Sequence, residues 1–255
     1  MMYAPRLNPW DVEDTLHDEE LPDYDADAAP AYDGSLFDEP LMTYHLRQYD
    51  RKIQILREYG ANAASSYRVT TNTFRLFSKK PEMEMLYTSA DMKQRNIAML
   101  QFDKDGPLPW CPRAHFDYID SNGAASVHKM EARNFADWTI VLEGRRYEWT
   151  LSMQPSSLVL REEGAALVIA RFTYSSIGTN AMRGAQVGEL VIFRDALTME
   201  LRGIDMVACS LMLALKYMQK MGRMYHNPDG TMRAGSATRE HIPANRMSSA
   251  GVSMI

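Results

Sequence analysis

The chain has 255 residues, a formal net charge of −5 and a hydrophobic share of 45%. That share is ordinary for a globular protein and excludes a chain that is disordered throughout. Its two cysteines exclude a disulfide scaffold and a cysteine-based zinc module.

The charge is unevenly placed. Residues 1–40 carry twelve acids against one base, Arg6, together with Pro5, Pro9, Pro22, Pro30 and Pro40. Self-repulsion and little apolar surface predict a disordered acidic tail. Tyr24 and Tyr32 stand among its acids and prolines, where another protein could bind them, although the paired prolines of a PPxY ligand are missing. The first ten residues have one arginine and no apolar run, unlike a secretory signal. Cys111 and Cys209 lie far apart and read as reduced thiols, so a cytoplasmic location is expected. The most apolar stretch, 206–215, is too short for a membrane span, which needs about 20 residues.

The remaining 215 residues hold 21 acids and 27 bases. Tyr44, Leu46 and Gln48 alternate with His45 and Arg47, predicting a strand over 43–49. The pattern is ambiguous here, and Ile53, Leu56 and the charged residues around them could instead be helical. From 67 to 193 short strands follow one another. Met83, Met85 and Tyr87 alternate with Glu82, Glu84 and Leu86, and Phe116 and Tyr118 alternate with His115 and Asp117. Tyr147, Trp149, Leu151 and Met153 alternate with Arg146, Glu148, Thr150 and Ser152, as in a strand with one dry and one wet face. Residues 165–174 and 187–193 are more continuously apolar, as in strands covered on both faces. Asp105-Gly106-Pro107, Asn122-Gly123, Glu143-Gly144, Glu162-Glu163-Gly164 and Gly178-Thr179-Asn180 supply turn chemistry. Their spacing predicts a meandering antiparallel sheet.

The pattern changes at Asp205, a good helix cap. Residues 205–221 are then apolar on all sides, with Lys216 and Lys220 near the end and Gly222 as a left-handed stop. A helix apolar all round must be buried all round. In an otherwise β chain, a closed barrel threaded by the helix satisfies this and removes edge strands. The expected organisation is a tail over 1–40, a mainly β barrel domain over 41–224 and a disordered tail over 225–255.

The strand–turn–strand over 66–88 with Lys79-Lys80-Pro81, the segment VGELVIFRDALTMEL over 187–201 and the terminal apolar helix, in that order, resemble the tubby C-terminal-like superfamily. That superfamily includes tubby proteins, phospholipid scramblases and LURP-one-related proteins. The resemblance covers roughly residues 43–224 and rests on element order. It implies a closed antiparallel β-barrel of about twelve strands around a central hydrophobic helix, and a role at membranes, on phosphoinositides or other phospholipids. It carries no lipid-contacting residue onto this chain.

No Gly-x-Gly-x-x-Gly, phosphate-binding loop, His-Glu-x-x-His or Gly-x-Ser-x-Gly occurs. The six histidines lack ligand spacing; His115 and His128 stand where they would face each other across the Asn122-Gly123 hairpin. Asp23, Asp25 and Asp27 open like a calcium loop, but Ala28 and Gly34 replace its glycine and bidentate glutamate. Neither a metal, a cofactor nor catalysis is expected. The cations scatter without a recognition motif, so nucleic acid is not expected either. Arg75, Lys79 and Lys80 cluster at one turn and Arg145 and Arg146 at another. Cations on a turn suit an anionic lipid headgroup, so these five are the candidate ligand-binding residues. The rival reading is a protein-interaction scaffold that uses residues 1–40.

Overall fold

The computed structural model describes residues 40–60, 65–72, 80–103, 112–133 and 137–228, all within the unit Leu36–Ile255. Twelve strands occur in the order β1 (Pro40–Gln48), β2 (Ile53–Glu58), β3 (Ser66–Thr71), β4 (Met83–Thr88), β5 (Gln94–Phe102) and β6 (Arg113–Ile119), then β7 (Ala125–Ala132), β8 (Trp138–Leu142), β9 (Arg145–Met153), β10 (Ser156–Glu162), β11 (Val168–Tyr174) and β12 (Gln186–Phe193). One α-helix, α1 (Leu201–Lys220), follows. Each strand pairs antiparallel with its sequence neighbours, and β1 also pairs with β12, closing the barrel. The fold class expected from the pattern is the one observed, and the ambiguous segment after Tyr49 is strand β2.

Turn chemistry fixes the hairpins. Glu143 and Gly144 both have positive φ, 51° and 79°, the primed two-residue turn whose twist matches the strands it joins. At the β6–β7 turn, Asp120 Oδ1 accepts from the Asn122 and Ala124 amides, and Gly123 takes φ 83°. This hairpin sets Phe116 opposite His128 and His115 opposite Lys129. The two histidines therefore do not face each other. His115 bonds Asp103, whereas the His128 ring stacks on Phe116 at 5.2 Å. The expected Asp105-Gly106-Pro107 turn and Cys111 lie outside the described residues.

The alternation seen in β9 turns Tyr147 and Trp149 inward and Arg146 and Glu148 outward. Inward side chains meet α1 from around the wall. Trp149 of β9 donates to Ser210 Oγ at 2.9 Å, Cys209 Sγ lies 3.6 Å from Met85 of β4, and Tyr174 of β11 points its hydroxyl at Met218. Trp138 of β8 packs edge-on against Tyr217. Partners on so many strands place the helix in the lumen, as its apolar circumference required.

The helix begins at Leu201, not at Asp205. Its N-cap is Glu200, which makes no side-chain capping bond. Gly203 permits the early start, since a Cβ there would lie 1.6 Å from the Leu197 carbonyl oxygen. Asp205 is inside the helix and fully buried, so its carboxylate binds side chains from the wall instead of helix amides. The C-terminus is as expected. Gly222 takes φ 67° and the Arg223 amide reaches back to the Met218 carbonyl, a Schellman ending. Two expectations fail at this end. Met221, placed in the helix expected to be buried all round, is exposed. Tyr225 and Asn227, read as tail, are buried; Asn227 bridges the Ser156 and Tyr174 backbones.

Candidate functional site

Among the predicted cations, Arg75 and Lys79 lie outside the described residues. Lys80 is exposed. Arg145 is paired with Glu162 at 3.6 Å and Arg146 with Glu163 at 3.5 Å. The hairpin that displays them therefore meets acids from the next turn, so neither arginine is an isolated cation. The acidic residues of 1–40 proposed as a protein ligand, Pro40 apart, lie outside the described residues as well.

The register of the first three strands builds a different cationic surface. Arg47 of β1 stands opposite Ile55 of β2, which stands opposite Arg68 of β3. One row along, His45 is opposite Arg57 and Arg57 is opposite Ser66. Tyr44, Leu46, Leu56, Tyr67 and Val69 point into the core, so alternation sends the intervening arginines outward. Strands spaced about 4.8 Å apart put the Arg47 and Arg68 backbones roughly 10 Å apart with Ile55 between them, and Arg57 lies two residues along β2 from Ile55. All three arginines are exposed. None has a carboxylate within 4 Å among the described residues, in contrast to Arg113, Arg133, Arg145 and Arg146.

The β1–β2 turn extends the patch with exposed Arg51 and Lys52. Its acid, Asp50, accepts from the Lys52 and Ile53 amides and shapes the turn. Tyr49 and Tyr59 flank the patch, 54% and 69% exposed. The His45 ring stacks on Tyr59 at 4.7 Å and 6° and approaches Glu189 at 3.5 Å. Burial lowers the His45 pKa, Glu189 opposes the shift and Arg47 adds to it. His45, Arg47, Tyr49, Arg57, Glu58 and Tyr59 line an open groove of about 770 Å³ on the outer wall, and Arg68, Arg51 and Lys52 lie outside that lining. It offers guanidinium forks, aromatic edges, one apolar side chain, Ile55, and one carboxylate, Glu58, which accepts from the Ser65 hydroxyl; the two guanidiniums suit a phosphate ester carried on an amphipathic body.

A second polar cluster is spent on the fold. Asp205 accepts from the Tyr67 and Tyr118 hydroxyls, each at 2.9 Å, and from Arg95 Nη2 at 2.6 Å. Burial raises the Asp205 carboxyl, while Arg95 and the two hydroxyls oppose the shift. Burial and the neighbouring carboxylate also push the Tyr118 hydroxyl up to about 12. The cluster ties the start of α1 to β3, β5 and β6. No group of three or more His, Cys, Asp or Glu side chains is placed to hold a metal among the described residues.

No family model, curated protein or solved structure matches the chain. Functional assignment therefore rests on the barrel and its surface. No helix among the described residues is long and apolar enough to cross a membrane.

Proposed function

We propose that the chain is a non-enzymatic binding module of the cytoplasm that attaches peripherally to membranes, with the outer face of β1–β3 on anionic phospholipid headgroups. One observation carries the reading: Arg47 and Arg57 line an open groove, Arg68 stands one strand further on the same face, and none of the three has a carboxylate within 4 Å among the described residues. A lysine or arginine near an anionic surface contributes about 1 kcal/mol, so five such cations amount to roughly 5 kcal/mol at low salt. Tyr49 and Tyr59 suit the boundary between headgroups and acyl chains, where amphipathic rings settle. The likeness to the tubby C-terminal-like superfamily points the same way.

Co-sedimentation of the full chain with vesicles tests this. Phosphatidylcholine vesicles should leave the protein in solution. Phosphatidylcholine mixed with phosphatidylserine should sediment it at low salt and release it near 0.5 M salt, where charges beyond about 4 Å are screened. Combined Arg47→Glu, Arg57→Glu and Arg68→Glu substitutions should abolish binding, and Lys80→Glu should weaken it little. Equal sedimentation with both vesicle types, or none with either, overturns the proposal.

A further inference from the structure

The barrel wall is least complete between β7 and β8. Only Met130 with Ile140, Glu131 with Thr139 and Ala132 with Trp138 are in register there. Every other junction carries at least five such pairs. Residues 125–129 of β7 thus pair with β6 on one side and have no register partner in β8 on the other. The Ala132 amide and the Ala124 carbonyl both bond towards the β6 side. Backbone groups alternate in direction along an antiparallel strand. Val127 therefore aims its N–H and C=O into the opening.

A groove of about 310 Å³ lies over this opening. On its outer side Val127 and Val141 are 61% and 53% exposed. Its charges are unequally satisfied. Glu131 is bound to Arg113 at 2.8 Å and Arg146 to Glu163, but Lys129 has no carboxylate within 4 Å among the described residues. On the lumen side the Ser126 hydroxyl bonds His128 at 2.9 Å, which leaves that stretch of wall polar and half-buried.

We infer that the β7–β8 opening is a strand-addition site for a partner protein. The occupant is an extended peptide segment, with apolar side chains at alternate positions over Val127 and Val141 and a carboxylate beside Lys129. Backbone donors and acceptors facing an opening are met by another extended backbone, and alternate side chains then read the flanking surface. The site is separate from the β1–β3 face and does not depend on its lipid reading.

The full chain selected against a library of random linear peptides tests the inference. Selected peptides should alternate β-branched residues and include an acid. They should slow hydrogen exchange at the Val127 and Lys129 amides. Proline is tolerated where an N–H faces an open edge, so Val127→Pro should fold and weaken these peptides by roughly tenfold or more. Lys129→Glu should weaken them several-fold, and Arg57→Glu should leave them unchanged. Failure to select peptides, or exchange protection confined to segments other than 125–129, overturns the inference, as does affinity indifferent to both substitutions. If Val127→Pro does not fold, exchange protection and Lys129→Glu decide the matter.

Discussion

Replacing Arg95 by methionine isolates the charge buried at the start of the helix. Methionine keeps much of the apolar stem and removes the guanidinium that lies 2.6 Å from Asp205 Oδ2. The two tyrosine hydroxyls remain, but the counter-charge is lost around a carboxylate that is 0% exposed. The penalty has a ceiling, because the folded protein can take up a proton at Asp205. From a free carboxyl near 3.9, forced protonation costs about 1.4 kcal/mol per pH unit, hence about 4 kcal/mol at pH 7. Breaking a buried pair typically costs about 3–5 kcal/mol. The Arg95 side chain is 26% exposed, so solvent screens part of the pair and about 2–4 kcal/mol is expected at pH 7. The loss of the Arg95 contacts with the Tyr87 ring and the Ile119 carbonyl adds an offset independent of pH.

The pH dependence is the discriminating readout. Burial already holds the folded Asp205 pKa above its unfolded value. Such a group stabilises fully below the unfolded pKa and loses that contribution as pH rises through the folded one. Removing Arg95 raises the folded value further. The variant's deficit relative to wild type should thus be largest at pH 7 and shrink towards about pH 4. Urea unfolding of both proteins across that range measures it. A deficit equal at every pH would refute a buried, ionised Asp205 held by Arg95.

Other substitutions probe the remaining claims. Leu213 is fully buried in the lumen helix, so Leu213→Asp should unfold the domain by circular dichroism; a folded, soluble variant would mean that the helix is not central. Gly203→Ala would press a methyl on the Leu197 carbonyl, and thermal unfolding should show a loss of at least about 2 kcal/mol. Tyr67→Phe removes a donor to a buried carboxylate and should cost about 1.5–3 kcal/mol in urea titration. Arg57→Glu should lower binding to anionic vesicles and flatten its salt dependence, whereas Arg146→Glu, at a position engaged by Glu163, should change sedimentation little.

The barrel was legible because its two periods are clean. Tyr147 and Trp149 alternate with charged partners, and nothing between Met206 and Leu215 is polar except Ser210, so strand and buried helix could be told apart. The helix start was not legible. Leu201-Arg202-Gly203 reads as loop, because glycine is a poor helix former and Asp205 is a good cap by residue type. Only the tertiary partners Tyr67, Arg95 and Tyr118 reveal that Asp205 serves the wall. The basic turns misled for a related reason: Arg145-Arg146 is conspicuous in the sequence, while Glu162 and Glu163, which answer it, lie one hairpin later. Arg47, Arg57 and Arg68 lack such prominence. Each follows a buried residue, Leu46, Leu56 or Tyr67, and strand register alone brings them together. A one-residue slip would turn them inward. The signal was a lone arginine at an outward position on three successive strands, readable only after those strands are paired.

The division between lumen and wall also decides where a ligand can act. Every residue of the helix from Met206 to Ala214 is at most 2% exposed. Admitting a ligand to the lumen would mean displacing that helix and giving up burial worth about 1.5–3 kcal/mol for each large side chain. Binding at an outward strand position disturbs none of it, because the side-chain period of two separates the core face from the wet face along the same strand. Outward residues can therefore be chosen for a ligand while inward ones are held for packing. On β1–β3 the outward positions hold Arg47, Arg57 and Arg68, none with a carboxylate within 4 Å among the described residues, and at the β7–β8 opening residues 125–129 have no register partner in β8. Both proposed sites accordingly lie on outward positions, and the inward positions carry the packing against the helix.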